Sequence, residues 1–289
     1  MKATTRPLHL NNRTCIYCGR EFGNDAPRTK EHVIGRNFVP EGSFKANDWN
    51  LIVWACGRCN HAKSKLEGEI SAITLQPSIG TPHLDKTLSL LAERKASNTR
   101  SEATGKTVQE SRETFSLTHA LAPNVSMTIG FVAPPRLVPD RVMALAGAQI
   151  QAFFYFLAYD QSQGRGPSLP GGISWFSFAQ KADWGNTQFL AFASLTKDWN
   201  GCFSRNAAGN YFRIVIKRDP SGIELWSFAL EWNQSYRIIG LFGDRKSAAE
   251  RVAGFPSFEW MRLDETTRMR EETPLESSED FLFACLFEG

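Results

Sequence analysis

The sequence predicts an α+β chain built from two unlike parts, and three observations carry this. Two Cys-x-x-Cys pairs, "CIYC" (Cys15, Cys18) and "CGRC" (Cys56, Cys59), lie near the start with 37 residues between them. Around them, short β-like runs ("EHVI", "NLIVWA") lead into "HAKSKLEGEISAITL", where Leu66, Ile70 and Ile73 recur at helical spacing. That spacing predicts a helix over about 58–73. Beyond residue 115 an apolar run predicts a long helix over about 138–161, and "NYFRIVIKRDPSGIELWSFALEW" predicts two alternating strands about a tight "DPSG" turn.

The chain has 289 residues, of which 42% are hydrophobic. That suffices for one large domain or two ordinary ones and excludes general disorder. The longest apolar stretch, 142–159, is interrupted by Gln149 and Gln151, so it reads as a buried helix and no membrane partner is expected. The first twenty residues are polar and lack the apolar centre of a secretory signal. A cytoplasmic protein is expected, where paired cysteines point to metal more than to disulfides. Cys202 and Cys285 stand alone and read as small buried hydrophobes.

Residues 1–80 hold the dense polar chemistry. Residues 81–114 read as a short helix around Leu88 to Lys95, then a polar linker, "ASNTRSEATGKTVQESRET". Residues 115–289 read as an accessory α+β part. There Asp140 is expected to cap the long helix. Phe212, Ile214 and Ile216 point one way, and Arg213, Val215 and Lys217 the other. "YRIIGLFG" (236–243) makes a third strand. This part carries no catalytic motif, and "YFRIVIKR" reads as core more than as a base-stacking surface. Substrate selection, sensing, or contact with a second copy or a regulatory partner are the roles left for it. Residues 1–80 carry 11 Lys/Arg against 7 Asp/Glu, whereas the chain from Asp244 onward carries 6 against 11. A nucleic-acid contact is therefore expected in the first part.

Two Cys-x-x-Cys pairs let four thiolates reach one tetrahedral Zn²⁺. Free or redox-active pairs are the alternative, but a redox pair expects a βαβ context that the sequence lacks. The segment between the pairs holds Glu31-His32 and Asn50-Leu51, and the second pair runs on as Cys59-Asn60-His61-Ala62-Lys63-Ser64. Over about residues 13–75 this combination resembles the HNH endonuclease family.

The resemblance implies a ββα-metal fold, a structural zinc and hydrolysis of DNA phosphodiester bonds to 5′-phosphate ends, with RNA left open as a substrate. His32 would be the general base, a task suited to imidazole near neutral pH. Glu31 and Asn60 would hold Mg²⁺ or Mn²⁺ through oxygen. Asn50 would hydrogen-bond the backbone of the loop carrying His32. His61 is an alternative ligand, which would favour a transition metal. Arg58, Lys63 and Lys65 are expected to contact phosphates, and Glu67 to support either the metal or a lysine. Two positions depart from the family pattern: Glu31 stands where Asp is usual, and Gly35 where Pro is usual. A defence or restriction effector would fit such an enzyme. The competing reading is a zinc-ribbon nucleic-acid-binding protein with an inactive site. His9, His83 and His119 have no partner in sequence and are assigned nothing.

Overall fold

The computed structural model describes residues 6–45, 48–77, 85–133, 135–262 and 268–284; His83 and Cys285 lie outside them. The chain is α+β, with helices and strands in nearly equal share.

The first sheet has the order β1-β3-β2: β1 (Leu8–His9) runs parallel to β3 (Leu51–Cys56), and β2 (Arg28–His32) antiparallel to it. β3 reads "LIVWAC" and is buried nearly throughout. Such β-branched and aromatic residues fit a strand covered on both sides. α1 (Gly57–Thr74) follows without a loop and turns a face holding Ile70 and Ile73 inward. α2 (Lys86–Asn98) starts at Asp85, whose side chain accepts the amides of Thr87 and Leu88, as an N-cap carboxylate does.

The segment expected as an open linker is a packed connection. Ser101 Oγ and the Glu102 amide donate to Glu69 Oε1 at 3.0 and 2.9 Å, Arg112 donates to Gln76, and Val108 is fully buried. Its small polar side chains satisfy buried partners, which composition alone does not reveal.

β4 (Glu113–Ala122) and β5 (Val125–Ala133) form a two-stranded hairpin about Pro123 and Asn124, in a stretch for which no element is expected above. α3 (Pro139–Leu157) is the expected long helix, but its N-cap is Val138. Pro139 takes the first position and Asp140 the first turn, with no side-chain cap bond. Proline suits that position because its missing N–H would be unpaired there anyway.

Five strands make the main sheet, in the order β6-β10-β9-β8-β7. They are β6 (Ile173–Gln180), β7 (Asn200–Ala207), β8 (Phe212–Arg218), β9 (Leu225–Trp232) and β10 (Tyr236–Gly243), all antiparallel. Gly222 takes φ +85° in the β8–β9 turn, where Ser221 N–H donates to Asp219 Oδ1.

Both faces of this sheet are covered. Phe212, Ile214, Ile216, Phe228, Leu230 and Trp232 pack with α3 and with Ile16, Phe38 and Trp49 of the first part. Val215, Ala229, Ile239 and Leu241 pack against α4 (Thr187–Thr196), α5 (Arg245–Val252) and the buried Leu282 and Phe283. The aromatic residues of "YFRIVIKR" are thus core. Two short strands, β11 (Met261–Arg262) and β12 (Arg268–Met269), complete the order. Among the described residues no helix is long and apolar enough to cross a membrane.

The two parts share one core. Trp49 stacks on Phe153 and meets Phe203 at a tilt, Phe38 meets Trp232 edge-on, and Asn233 Nδ2 donates to Phe38 O at 3.1 Å and Thr74 Oγ1 at 2.8 Å. The main sheet therefore buttresses the 33–50 loop that joins β2 to β3.

Candidate functional site

The first knuckle is a tight turn. Cys15 N–H donates to Arg20 O, Gly19 N–H returns to Cys15 O, and Gly19 takes φ +69°, open to glycine without strain. The second spans the end of β3 and the first turn of α1, with Cys56 at the N-cap. There Cys56 N–H donates to Cys15 Sγ at 3.3 Å. The four sulfur atoms of Cys15, Cys18, Cys56 and Cys59 lie within 4.8 Å of one another. Tetrahedral thiolates around Zn²⁺ stand roughly 3.8 Å apart, so the cluster could hold a metal ion such as zinc. Burial raises the Cys56 thiol, but the Cys59 amide and the surrounding sulfurs outweigh it and bring it to about 7. Burial drives the Cys15 and Cys59 thiols upward. Thiolates this close repel one another until a cation sits among them.

β2 pairs Glu31 with Val53 and His32 with Ile52, so the two neighbours face opposite sides. Glu31 turns toward α1 and is 4% exposed. Lys63 Nζ lies 2.8 Å from Glu31 Oε1 and 2.6 Å from Glu67 Oε1, and it donates to His32 O at 3.3 Å. Tyr17 donates its hydroxyl to Glu31 Oε1 at 2.8 Å, and the Gly35 amide donates to Glu67 Oε1 at 3.0 Å. Burial works against the Lys63 charge, yet Glu67 and Glu31 outweigh it and raise its pKa. Burial raises Glu67, with Lys63 opposing. One ammonium thus sits between two buried carboxyl groups, and Tyr17, itself pushed well up by burial and by Glu31, stays a hydroxyl donor.

The Gly35 departure has a physical reason here. A Cβ at Gly35 would come within 2.4 Å of the Glu67 carboxylate, and a proline would remove the amide that binds it.

His32 opens on a cavity of about 830 Å³, lined also by Arg36, Asn50, Ile52, Arg94 and Lys95. Burial, then the charges of Arg36 and Lys30, lowers the His32 pKa, so its neutral form is favoured. Asn50 is 4% exposed and closes two bonds on Ile34: Ile34 N–H donates to Oδ1 at 3.2 Å, and Nδ2 donates to Ile34 O at 2.8 Å. The loop two residues past His32 is thereby fixed to the start of β3. Lys95, from α2, donates to Asn37 O and Ser71 Oγ on the other wall, and burial lowers its pKa to about 8.

The other expected residues fall elsewhere. Asn60 Nδ2 donates to Thr29 Oγ1 at 3.0 Å and Lys30 O at 3.3 Å, against the middle of β2. Glu31 Oε1 is engaged by Lys63 and Tyr17, whereas the Asn60 contacts are made by its Nδ2. His61 is exposed and belongs to no group of His, Cys, Asp and Glu side chains able to hold a metal among the described residues. Lys63, expected at a phosphate, is 3% exposed and held by carboxylates. Arg58 and Lys65 are exposed on α1 but do not line the cavity. Cys202, expected in the core, is exposed on β7 because its strand is an edge with a register shift between Gly201 and Phe203.

The sequence pattern does not point to Arg36, Arg94, Lys95 or Tyr17. The i,i+4 spacing of Lys63 and Glu67 is a readable signal of a helix-surface pair, but nothing in the spacing places α2 beside His32. No family model, curated protein or solved structure matches this chain.

Proposed function

We propose that the chain is an HNH-type endonuclease that hydrolyses DNA phosphodiester bonds, with His32 as general base. The observation that supports this most is the Asn50 clamp on Ile34. It fixes the loop leaving His32 while the imidazole, its pKa lowered, opens on a cavity with an arginine in its wall. Neutral His32 takes a proton from a water that attacks phosphorus. The phosphorus–O3′ bond breaks, O3′ leaves with the bonding pair and takes a proton from water, and Arg36 offers its positive charge to the phosphoryl oxygens as they gain negative charge. The four-cysteine cluster, filled by zinc, would tie the start of α1 to the first knuckle and hold β3 under His32.

Mg²⁺ or Mn²⁺ is the cofactor that the family resemblance implies. In the Glu31–Lys63 pair, Lys63 occupies one oxygen of the carboxylate that would hold it, and no step above passes through it.

That same pair favours a second reading, a zinc-ribbon nucleic-acid-binding protein without turnover. Supercoiled plasmid separates the two. The first reading requires nicked or linear product; the second requires retarded plasmid that stays supercoiled through the incubation.

A further inference from the structure

We propose that the nucleic-acid strand reaches His32 along the cavity between the 36–45 loop and α2, held by Arg36 and Arg94, and does not lie on the exposed face of α1. This rests on the nuclease reading and gives that site its substrate path.

The geometry of β2 is the first reason. His32 and Glu31 face opposite sides, and the Glu31 side is closed by Lys63, Glu67 and Tyr17, all buried or hydrogen-bonded there. A phosphate can meet the imidazole only from the cavity side. The α1 face keeps Arg58 and Lys65, but its one lysine that touches the site, Lys63, is sealed inside.

Charge is the second reason. Arg36, Lys45, Arg94 and Lys95 line the cavity against Glu41 and Asp48. Asp48 accepts the Lys45 amide at 2.9 Å, so it is committed to the loop backbone. Glu41 pairs with Arg94 at 2.6 Å, but both side chains are exposed, at 76% and 64%. Such a pair is worth little and exchanges readily for a phosphate. Arg36 is exposed and has no ion pair or side-chain hydrogen bond among the described residues. An arginine with free donors beside a general base suits a phosphodiester oxygen. Lys95 is held by Asn37 O and Ser71 Oγ, so it fixes the width of the channel.

The test is fluorescence anisotropy of a labelled DNA oligonucleotide, titrated in EDTA across a range of salt, beside plasmid cleavage by the same proteins. The double variant Arg36→Gln/Arg94→Gln should bind at least about tenfold more weakly, with a salt slope smaller by roughly 2, one for each phosphate that no longer meets an arginine. Arg58→Gln/Lys65→Gln should change affinity less than about twofold, within what two distant surface charges contribute. All four side chains are solvent-accessible, so folding should be untouched, which circular dichroism checks. The reverse pattern, or no DNA binding by the wild type, overturns the path. Cleavage that continues at the wild-type rate in Arg36→Gln/Arg94→Gln overturns the path while leaving the nuclease standing. Cavity-dependent binding with no cleavage keeps the path and removes the nuclease.

Discussion

Lys63 Nζ sits 2.8 Å from Glu31 Oε1 and 2.6 Å from Glu67 Oε1, so a side chain of α1 supplies the cation that Glu31 faces. A buried pair of this kind is costly to break on one side, because the remaining charge loses its partner. Lys63→Met should destabilise the fold by about 3–5 kcal/mol, read as a lower urea midpoint. Glu31→Gln keeps an acceptor for Tyr17 and leaves Glu67 for Lys63, so it should cost less than Lys63→Met. If Glu31→Gln folds but loses all dependence of cleavage on added Mg²⁺ or Mn²⁺, Glu31 is a metal ligand in the working enzyme and its pairing with Lys63 is not the functional state.

Asn50 serves two buried backbone groups of Ile34. Asn50→Ala leaves both without partners, at about 1–3 kcal/mol each. Cleavage should fall through kcat with little change in DNA affinity, since Asn50 positions His32 and holds no substrate. An affinity loss as large as the kcat loss would place Asn50 directly against DNA.

The lowered His32 pKa gives a pH dependence with a definite sign. A general base works deprotonated, so kcat/KM falls as pH drops through its pKa. Because burial, Arg36 and Lys30 hold that pKa under 6.5, the acid limb should lie below pH 6.5 and activity should be flat from there to neutrality. Arg36→Gln should move the limb upward. A limb above pH 7 would contradict the assignment.

Removal of zinc should loosen the first part selectively. In Cys56→Ser, hydrogen exchange should accelerate over 14–21 and at the start of α1 before it changes in the main sheet. Uniform acceleration throughout the chain would show that the shared core gives the two parts one cooperative unit.

Asn233 connects the main sheet to the site loop through Phe38 O and Thr74 Oγ1, and it does so from a turn position with φ +52°. Asn233→Gly keeps that backbone and removes only the side-chain bonds. Exchange of the 36–39 amides should quicken and kcat should fall. Unchanged exchange would mean that packing of Phe38 on Trp232 holds the loop unaided.

Much of this is legible in the sequence where a signal is local. Helical spacing locates α1 to within a residue at each end, alternation locates β8 and β9, the apolar run 236–243 locates β10, and Cys-x-x-Cys spacing anticipates a four-sulfur cluster. What stays hidden depends on how distant segments meet. Lys63 is indistinguishable in sequence from Lys65, yet one is buried between carboxylates and the other is solvated. The cation that Glu31 faces comes from a different element, and Arg94 joins the His32 cavity from a helix whose docking no periodicity reports. The hairpin of β4 and β5 does carry a local signal of the same kind, Val125, Met127, Ile129 and Phe131 alternating in sequence with Ser126, Thr128 and Gly130.

Whether His32 is the base of a nuclease is decided by plasmid cleavage with wild type and His32→Ala, each incubated with EDTA, Mg²⁺ or Mn²⁺, and with zinc measured on the same samples. The wild type should give nicked or linear product and His32→Ala none, while both retain one zinc per four-cysteine cluster. Equal cleavage by the two proteins would show that His32 is not the base. Absence of cleavage by the wild type under every condition, with zinc in place, would contradict the nuclease and leave the zinc-ribbon binding protein.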